Sequence, residues 1–252
     1  ADQMDVQVCI HTDTLNEAFW PESGGQSHSF EVLDLGADTP RSINMTPTEI
    51  TKDPVQNVGV INTISGSVGY LTFNTHIATA EQELIDAIST LKESNISDLV
   101  LDLRYNGGGY LDIANQLAYM IAGPNATSGR TFSLQQFNDK HPTVNPITGA
   151  ALEPRTFHTT GLGFSARDGV ALPYLDLARV YVLTTSGTCS ASEAIMNGLR
   201  GIDVEVIQIG GTTCGKPYGF YGLENCGTTY FFTQFRGVNA KGYGDYSDGF
   251  SP

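Results

Sequence analysis

A serine at Ser190 and a lysine at Lys216 together offer a nucleophile and a base, the minimum for acyl transfer. A serine hydroxyl attacks a carbonyl only when something removes its proton. None of the five histidines, His11, His28, His76, His141 and His158, stands in a matched motif, so the base falls to Lys216. An unperturbed lysine, with a pKa of about 10.4, is neutral in roughly one molecule in a few thousand at pH 7, and has to be desolvated to serve. Lys216 follows a buried-looking strand and a tight Thr212-Thr213-Cys214-Gly215 segment, in a chain with few lysines. The oxyanion of a tetrahedral intermediate needs donors as well. Two backbone amides are candidates, Ala191 after the nucleophile and Gly108 in the turn Asn106-Gly107-Gly108-Gly109. Arg104 would orient that turn, and Glu193 would steady the first turn of the serine's helix or the lysine. Without any activity, Ser190 and Glu193 still fit a capping box, and three glycines still make an ordinary strand-to-helix turn.

The elements that must position these groups are legible as periodicity. Val180-Tyr181-Val182-Leu183 reads as a buried strand, and Ala194-Ile195-Met196 as the helix after Ser190. Leu99-Val100-Leu101-Asp102-Leu103 is a strand covered on both faces, ended by the glycine cluster and followed by helical spacing from Leu111 to Ala122. Open α/β sheets gather their sites at the carboxyl ends of parallel strands, where both turns fall. Earlier, Val68 to Phe73 reads as a strand, and Thr79 and Gln82 fit a capping box ahead of Leu84, Ile85, Ile88 and Leu91. Strands are also expected at 204–209 and 228–235. Residues 124–178 are polar and rich in Pro, Gly and Asn, a long insertion that would cover or flank a site.

The N-terminal part reads as a helical stretch from Thr14 to Trp20 and two strands, Ser27 to Leu35 and Arg41 to Met45. Residues 46–60, with Pro47 and Pro54, read as a linker or edge strand. The expected organisation is a small segment with linker over 1–50 and an α/β core over 51–252. The chain begins at Ala1 without an initiator methionine, as a mature form or a piece of a longer protein would.

A net charge of −14 argues against nucleic acid and anionic membranes as partners, whereas a neutral or basic polypeptide is not repelled. No apolar run approaches the roughly 18 residues of a membrane span. Cys9, Cys189, Cys214 and Cys226 allow three complete pairings, or four reduced thiols. Of the pairs, Cys214–Cys226 is expected, because these two flank the Gly- and Tyr-rich stretch 216–222 as the strands of a hairpin would. A bridge there would imply an oxidising compartment. No cofactor is called for, and the absence of a Cys-x-x-Cys or compact His/Cys cluster speaks against a structural metal.

Three blocks, taken in order, resemble the C-terminal processing peptidases, or tail-specific proteases, a family of serine-lysine endopeptidases. They are Leu99 to Gly109, Ser190-Ala191-Ser192-Glu193, and Thr212-Thr213-Cys214-Gly215-Lys216. The resemblance runs from about Val68 to Phe235. It implies a crotonase- and Clp-protease-like core of repeated strand, strand, helix units, preceded by a partial PDZ-like segment over 1–50. It implies Ser190 as nucleophile, Lys216 as base, Gly108 and Ala191 as oxyanion donors, and Glu193 and Arg104 at accessory positions. A polypeptide is the implied substrate, and the periplasm or the cell exterior the implied location. Two features depart from the pattern. Phe220 stands where many members place a glutamine that orients the lysine, and the interval from Ser190 to Lys216 is slightly longer than in the bacterial enzymes. Two other readings use the same fold: a non-catalytic carrier, against which the intact serine and lysine argue, and an acyl-CoA enzyme, which the scarcity of Lys and Arg disfavours.

Overall fold

A computed structural model describes Phe19 and residues 23–252. The chain divides into two compact units, Ala1–Lys52 and Asp53–Pro252. In the first, β1 (His28–Val32) and β2 (Arg41–Met45) form an antiparallel pair, with His28 opposite Met45. These are the two strands that the alternation predicts. The helix expected from Thr14 to Trp20 lies outside the described residues apart from Phe19, which is helical.

The second unit is built on a five-stranded sheet. The antiparallel pair β3 (Val55–Thr63) and β4 (Gly66–Phe73) opens it, so the segment expected as linker or edge strand supplies the edge. Helix α1 (Ala80–Glu93) leads to β5 (Asp98–Asp102), and α2 (Leu111–Thr127) follows, kinked at Gly123 ahead of Pro124. Two strands then leave this sheet, β6 (Thr131–Gln136) and β7 (Arg155–Thr156). The chain returns through β8 (Arg179–Thr184), α3 (Ala191–Gly201) and β9 (Glu205–Gly210). The strand order is β3-β4-β5-β8-β9, with β4, β5, β8 and β9 mutually parallel. The turns after β5 and β8 therefore emerge side by side at one end of the sheet.

Burial follows the apolar patterns. Leu99 and Leu101 of β5, Val180 and Val182 of β8, and Leu84, Ile88, Leu117, Ile195 and Leu199 of the helices are completely or almost completely buried in one core. Covering a side chain of this kind contributes about 1.5–3 kcal/mol relative to leaving it exposed. The box expected at Thr79 is replaced by a longer-range contact. Thr79 already has helical backbone angles, and the Gln82 N–H donates to Ser165 Oγ at 3.1 Å.

The remaining strands are β10 (Tyr218–Gly219), β11 (Leu223–Asn225), β12 (Thr228–Tyr230) and β13 (Phe235–Val238). The single strand expected over 228–235 is thus split in two. β12 pairs with β11, while β13 joins a second sheet of order β10-β13-β6-β7. Two positive φ angles, 50° at Cys226 and 75° at Gly227, close the β11–β12 hairpin. Two consecutive left-handed residues are what a type I′ hairpin turn requires.

Candidate active site

The turn between β8 and α3 carries Ser190, and the turn after β5 carries the glycines; four bonds stitch them together. Thr188 Oγ1 donates to Leu103 O at 2.8 Å, Thr185 Oγ1 to Arg104 O at 2.5 Å, the Cys189 N–H to Asn106 O at 3.0 Å, and Ser192 Oγ to the same oxygen at 3.0 Å. Only glycine fits at 108. Its φ is 101°, and a Cβ there would lie 2.8 Å from that of Ser190. Ser190 itself adopts φ 58° and ψ −111°, a conformation rare for a residue with a side chain and typical of strained, functional turns. The Ala191 N–H is the first amide of α3, so it has no acceptor within its own helix.

Glu193 is completely buried, and its acceptors bind two segments at once. Oε2 accepts the Ser190 N–H at 2.9 Å and the Lys216 N–H at 2.8 Å, while Oε1 accepts the Gly215 N–H at 2.8 Å and Thr213 Oγ1 at 2.6 Å. The helix bearing the serine thereby holds the segment bearing the lysine. Phe250 reinforces it from the far end of the chain, donating its N–H to Thr213 Oγ1 at 2.8 Å and accepting the Thr213 N–H at 3.0 Å.

Ser190 and Lys216, both half-buried, line one cavity of about 230 Å³. Gly107 and Gly109 line it with backbone, and Leu111, Phe132, Ala194, Phe235 and Tyr246 supply apolar side chains. β6 brings Phe132 to this wall from within the polar stretch 124–178. Among the described residues Lys216 Nζ makes no hydrogen bond; it lies 5.0 Å from the centroid of the Phe220 ring, the residue standing where a glutamine is common. Burial and the nearby negative charge of Glu193 push the Tyr246 phenol well above the ordinary tyrosine range, so it stays neutral.

Three expectations change. The disulfide is Cys189–Cys214, with Cα atoms 5.2 Å apart, and not Cys214–Cys226. Cys226 is a free, exposed thiol in the β11–β12 turn, so the flanking hairpin that suggested its pairing does not exist. Gly108 lies against the serine turn, but its N–H donates to Asn106 Oδ1 at 3.0 Å. Arg104 turns away to Asp102, with Nη2 at 2.7 Å from Oδ2 and Nε at 3.0 Å from Oδ1. Burial alone would raise the Asp102 carboxyl; hydrogen bonds from Arg104 and Tyr70 outweigh it and hold the group below the usual carboxylate range. Arg104 therefore acts on the loop through Asp102 and its own carbonyl.

Residues beneath the glycine turn escape sequence reasoning. Asn106 Nδ2 donates to Phe73 O at 2.9 Å, which leaves Oδ1 as the acceptor for both Gly108 and the His76 ring, 2.9 Å away at Nδ1. His76 is completely buried, and burial pushes its pKa down to about 4, so it is a neutral Nδ1–H donor at neutral pH. Its only sequence signal is its type. Asn106 is flagged by its place before the glycines and Thr213 by its place in the block that ends in Lys216, but Tyr246 and Phe250 carry no signal at all.

The sequence profile of peptidase family S41 matches residues 67–220, more than half of the chain and a span that includes both turns and Lys216. The chain belongs to peptidase family S41. It is similar to a carboxyl-terminal-processing protease from Synechocystis sp., 26% identical over 188 residues, covering 75% of this chain and 37% of the relative. A Picosynechococcus sp. protease of the same name is 25% identical over 193 residues, 76% of this chain and 39% of the relative. The chain thus spans well under half the length of these curated relatives. An S41 protease structure from Bacteroides fragilis superposes with a TM-score of 0.68 at 26% identity, over 91% of this chain and 59% of that one. The photosystem II D1 C-terminal processing protease shares the fold, with a TM-score of 0.57 at 20% identity over 90% of this chain and 54% of that one.

Proposed function

We propose that the protein is a serine-type endopeptidase that cleaves extended polypeptides through an acyl-enzyme, with Ser190 as nucleophile and Lys216 as general base. The carrying observation is that these two side chains, one from the turn after β8 and the other from the stretch after β9, line one cavity in an S41 chain. Lys216, when neutral, takes the Ser190 proton as Oγ attacks the carbonyl carbon. The ammonium then protonates the leaving amine, and a water activated by Lys216 releases the acyl group. The Ala191 N–H meets the oxyanion from the helix N-terminus. Gly108 becomes a second donor only when the loop turns its amide from Asn106 Oδ1. Leu111, Phe132, Phe235 and Tyr246 suit an apolar side chain next to the scissile bond.

The finer architecture proposed is a crotonase- and Clp-type core over 51–252, supported by helices alternating with parallel strands, and a partial PDZ-like segment over 1–50, supported by the β1–β2 pair. The Cys189–Cys214 bridge suits the periplasm or the cell exterior. No described helix is long and apolar enough to cross a membrane. Cleavage of an unfolded polypeptide by the protein and by its Ser190→Ala and Lys216→Ala variants tests the assignment. Each substitution is expected to lower kcat by at least about 10³-fold. A Ser190→Ala variant that cleaves at the parent rate overturns it.

A further inference from the structure

Ser190 and Lys216 sit on turns that follow different strands, and among the described residues no hydrogen bond joins their side chains. Lys216 belongs to a stretch, 212–217, with neither helix nor strand to set its path. The location of its side chain therefore depends on what tethers that stretch to the serine turn. One tether is Glu193 and the other is covalent: Cys189, the residue immediately before Ser190, is bonded to Cys214, two residues before Lys216.

Each half-cystine is also anchored through its backbone. The Cys189 N–H donates to Asn106 O in the glycine turn, and the Cys214 N–H donates to Thr188 O, both at 3.0 Å. The bridge thus ties the glycine turn, the strained serine and the lysine stretch into one unit. Its bonded residues flank the chemistry, and neither Cys189 nor Cys214 is among the residues that form the apolar core. We propose that the Cys189–Cys214 disulfide is the positioning element of the Ser190/Lys216 pair, so that breaking it lowers turnover while leaving the core folded. This rests on the catalytic reading above and adds to it a dependence on the oxidised state.

The test uses a Cys9→Ser/Cys226→Ser background, leaving Cys189–Cys214 as the reducible bond. A dithiol reductant converts the bridge to two thiols and is itself oxidised to a cyclic disulfide; alkylation then traps the open form. Expected are a fall in kcat of at least about tenfold with KM within about twofold, and recovery when the unalkylated reduced protein is reoxidised. Amide exchange should quicken at Gly215 and Lys216 and stay unchanged in α1. A Cys189→Ser/Cys214→Ser variant in the same background supplies a second open form should alkylation unfold the protein. Unchanged kcat in a folded open form overturns the proposal. If the oxidised protein shows no Ser190-dependent cleavage, the catalytic reading fails; exchange at Gly215 and Lys216 then decides alone, and unaltered protection there refutes the positioning role.

Discussion

Two buried carboxylates, Glu81 in the first turn of α1 and Glu193 in the first turn of α3, organise two regions by the same chemistry. Glu81 accepts the N–H groups of Leu162, Ser165 and Ala166 at 2.6, 3.0 and 3.0 Å, and Gln116 Nε2 at 2.7 Å. Glu193 accepts three amides and a threonine hydroxyl from the serine and lysine segments. In each case a helix start, already favourable to negative charge, captures a distant irregular loop by its backbone donors. The difference lies in what the captured loop carries. The loop held by Glu81 closes over α1, whereas the loop held by Glu193 ends in Lys216. A buried carboxylate is thus a general way to fix a loop, and its consequence depends on the cargo.

The largest separation between the two regions is expected in turnover. Glu193→Gln exchanges one acceptor oxygen for a donor against packed N–H groups and should lower kcat by about 10²-fold, because a displacement near 1 Å is enough for such a loss. Glu81→Gln should leave kcat at the parent level under conditions where the protein is folded. Equal kcat for the two variants would break the comparison. Next in size is stability. Glu81→Gln should cost about 3 kcal/mol at neutral pH, measured by urea unfolding, since buried donors lose their charged acceptor.

That cost carries a pH signature. Burial alone would raise the Glu81 carboxyl, but Gln116 and the three amides outweigh it and hold it below the ordinary glutamate value. A carboxylate depressed in the folded state stabilises fully above the unfolded pKa and loses that contribution as pH falls through the folded value. The stability gap between parent and Glu81→Gln should therefore be widest near pH 7 and narrow in acid. A gap independent of pH would assign the loss to packing. The smallest effect is expected from Ser165→Ala, which removes the oxygen that accepts the Gln82 N–H and should cost about 1 kcal/mol in the same unfolding measurement, with kcat unchanged.

Much of the core can be read from local pattern. Leu99 to Leu103 and Val180 to Leu183 announce buried parallel strands, and the glycines that follow the first announce a turn open to close approach. The strand over 228–235 misleads because apolar and β-prone residues continue through a segment whose hydrogen bonds divide between two sheets. Cysteine pairing misleads for a related reason. Cys214 and Cys226 are the closer pair along the chain, yet the partner of Cys214 is brought to it by the β8–β9 pairing and the helix between. For Glu193 the sequence offers the helix start or the lysine as alternatives and does not say which groups it binds, because three of its four partners are main-chain amides, which every residue but proline possesses.

By itself the sequence determined the reactive residue types, the strands and helices that deliver them to one end of a parallel sheet, and the glycines that let two backbones meet. These follow from periodicity and steric allowance, which act over a few residues. Only the tertiary structure decided that Cys189 closes on Cys214, that Glu193 spans the serine and lysine segments, and that Asn106 takes the Gly108 amide. Those choices depend on which distant donors and acceptors arrive together once loops are closed, and chain spacing does not encode that meeting.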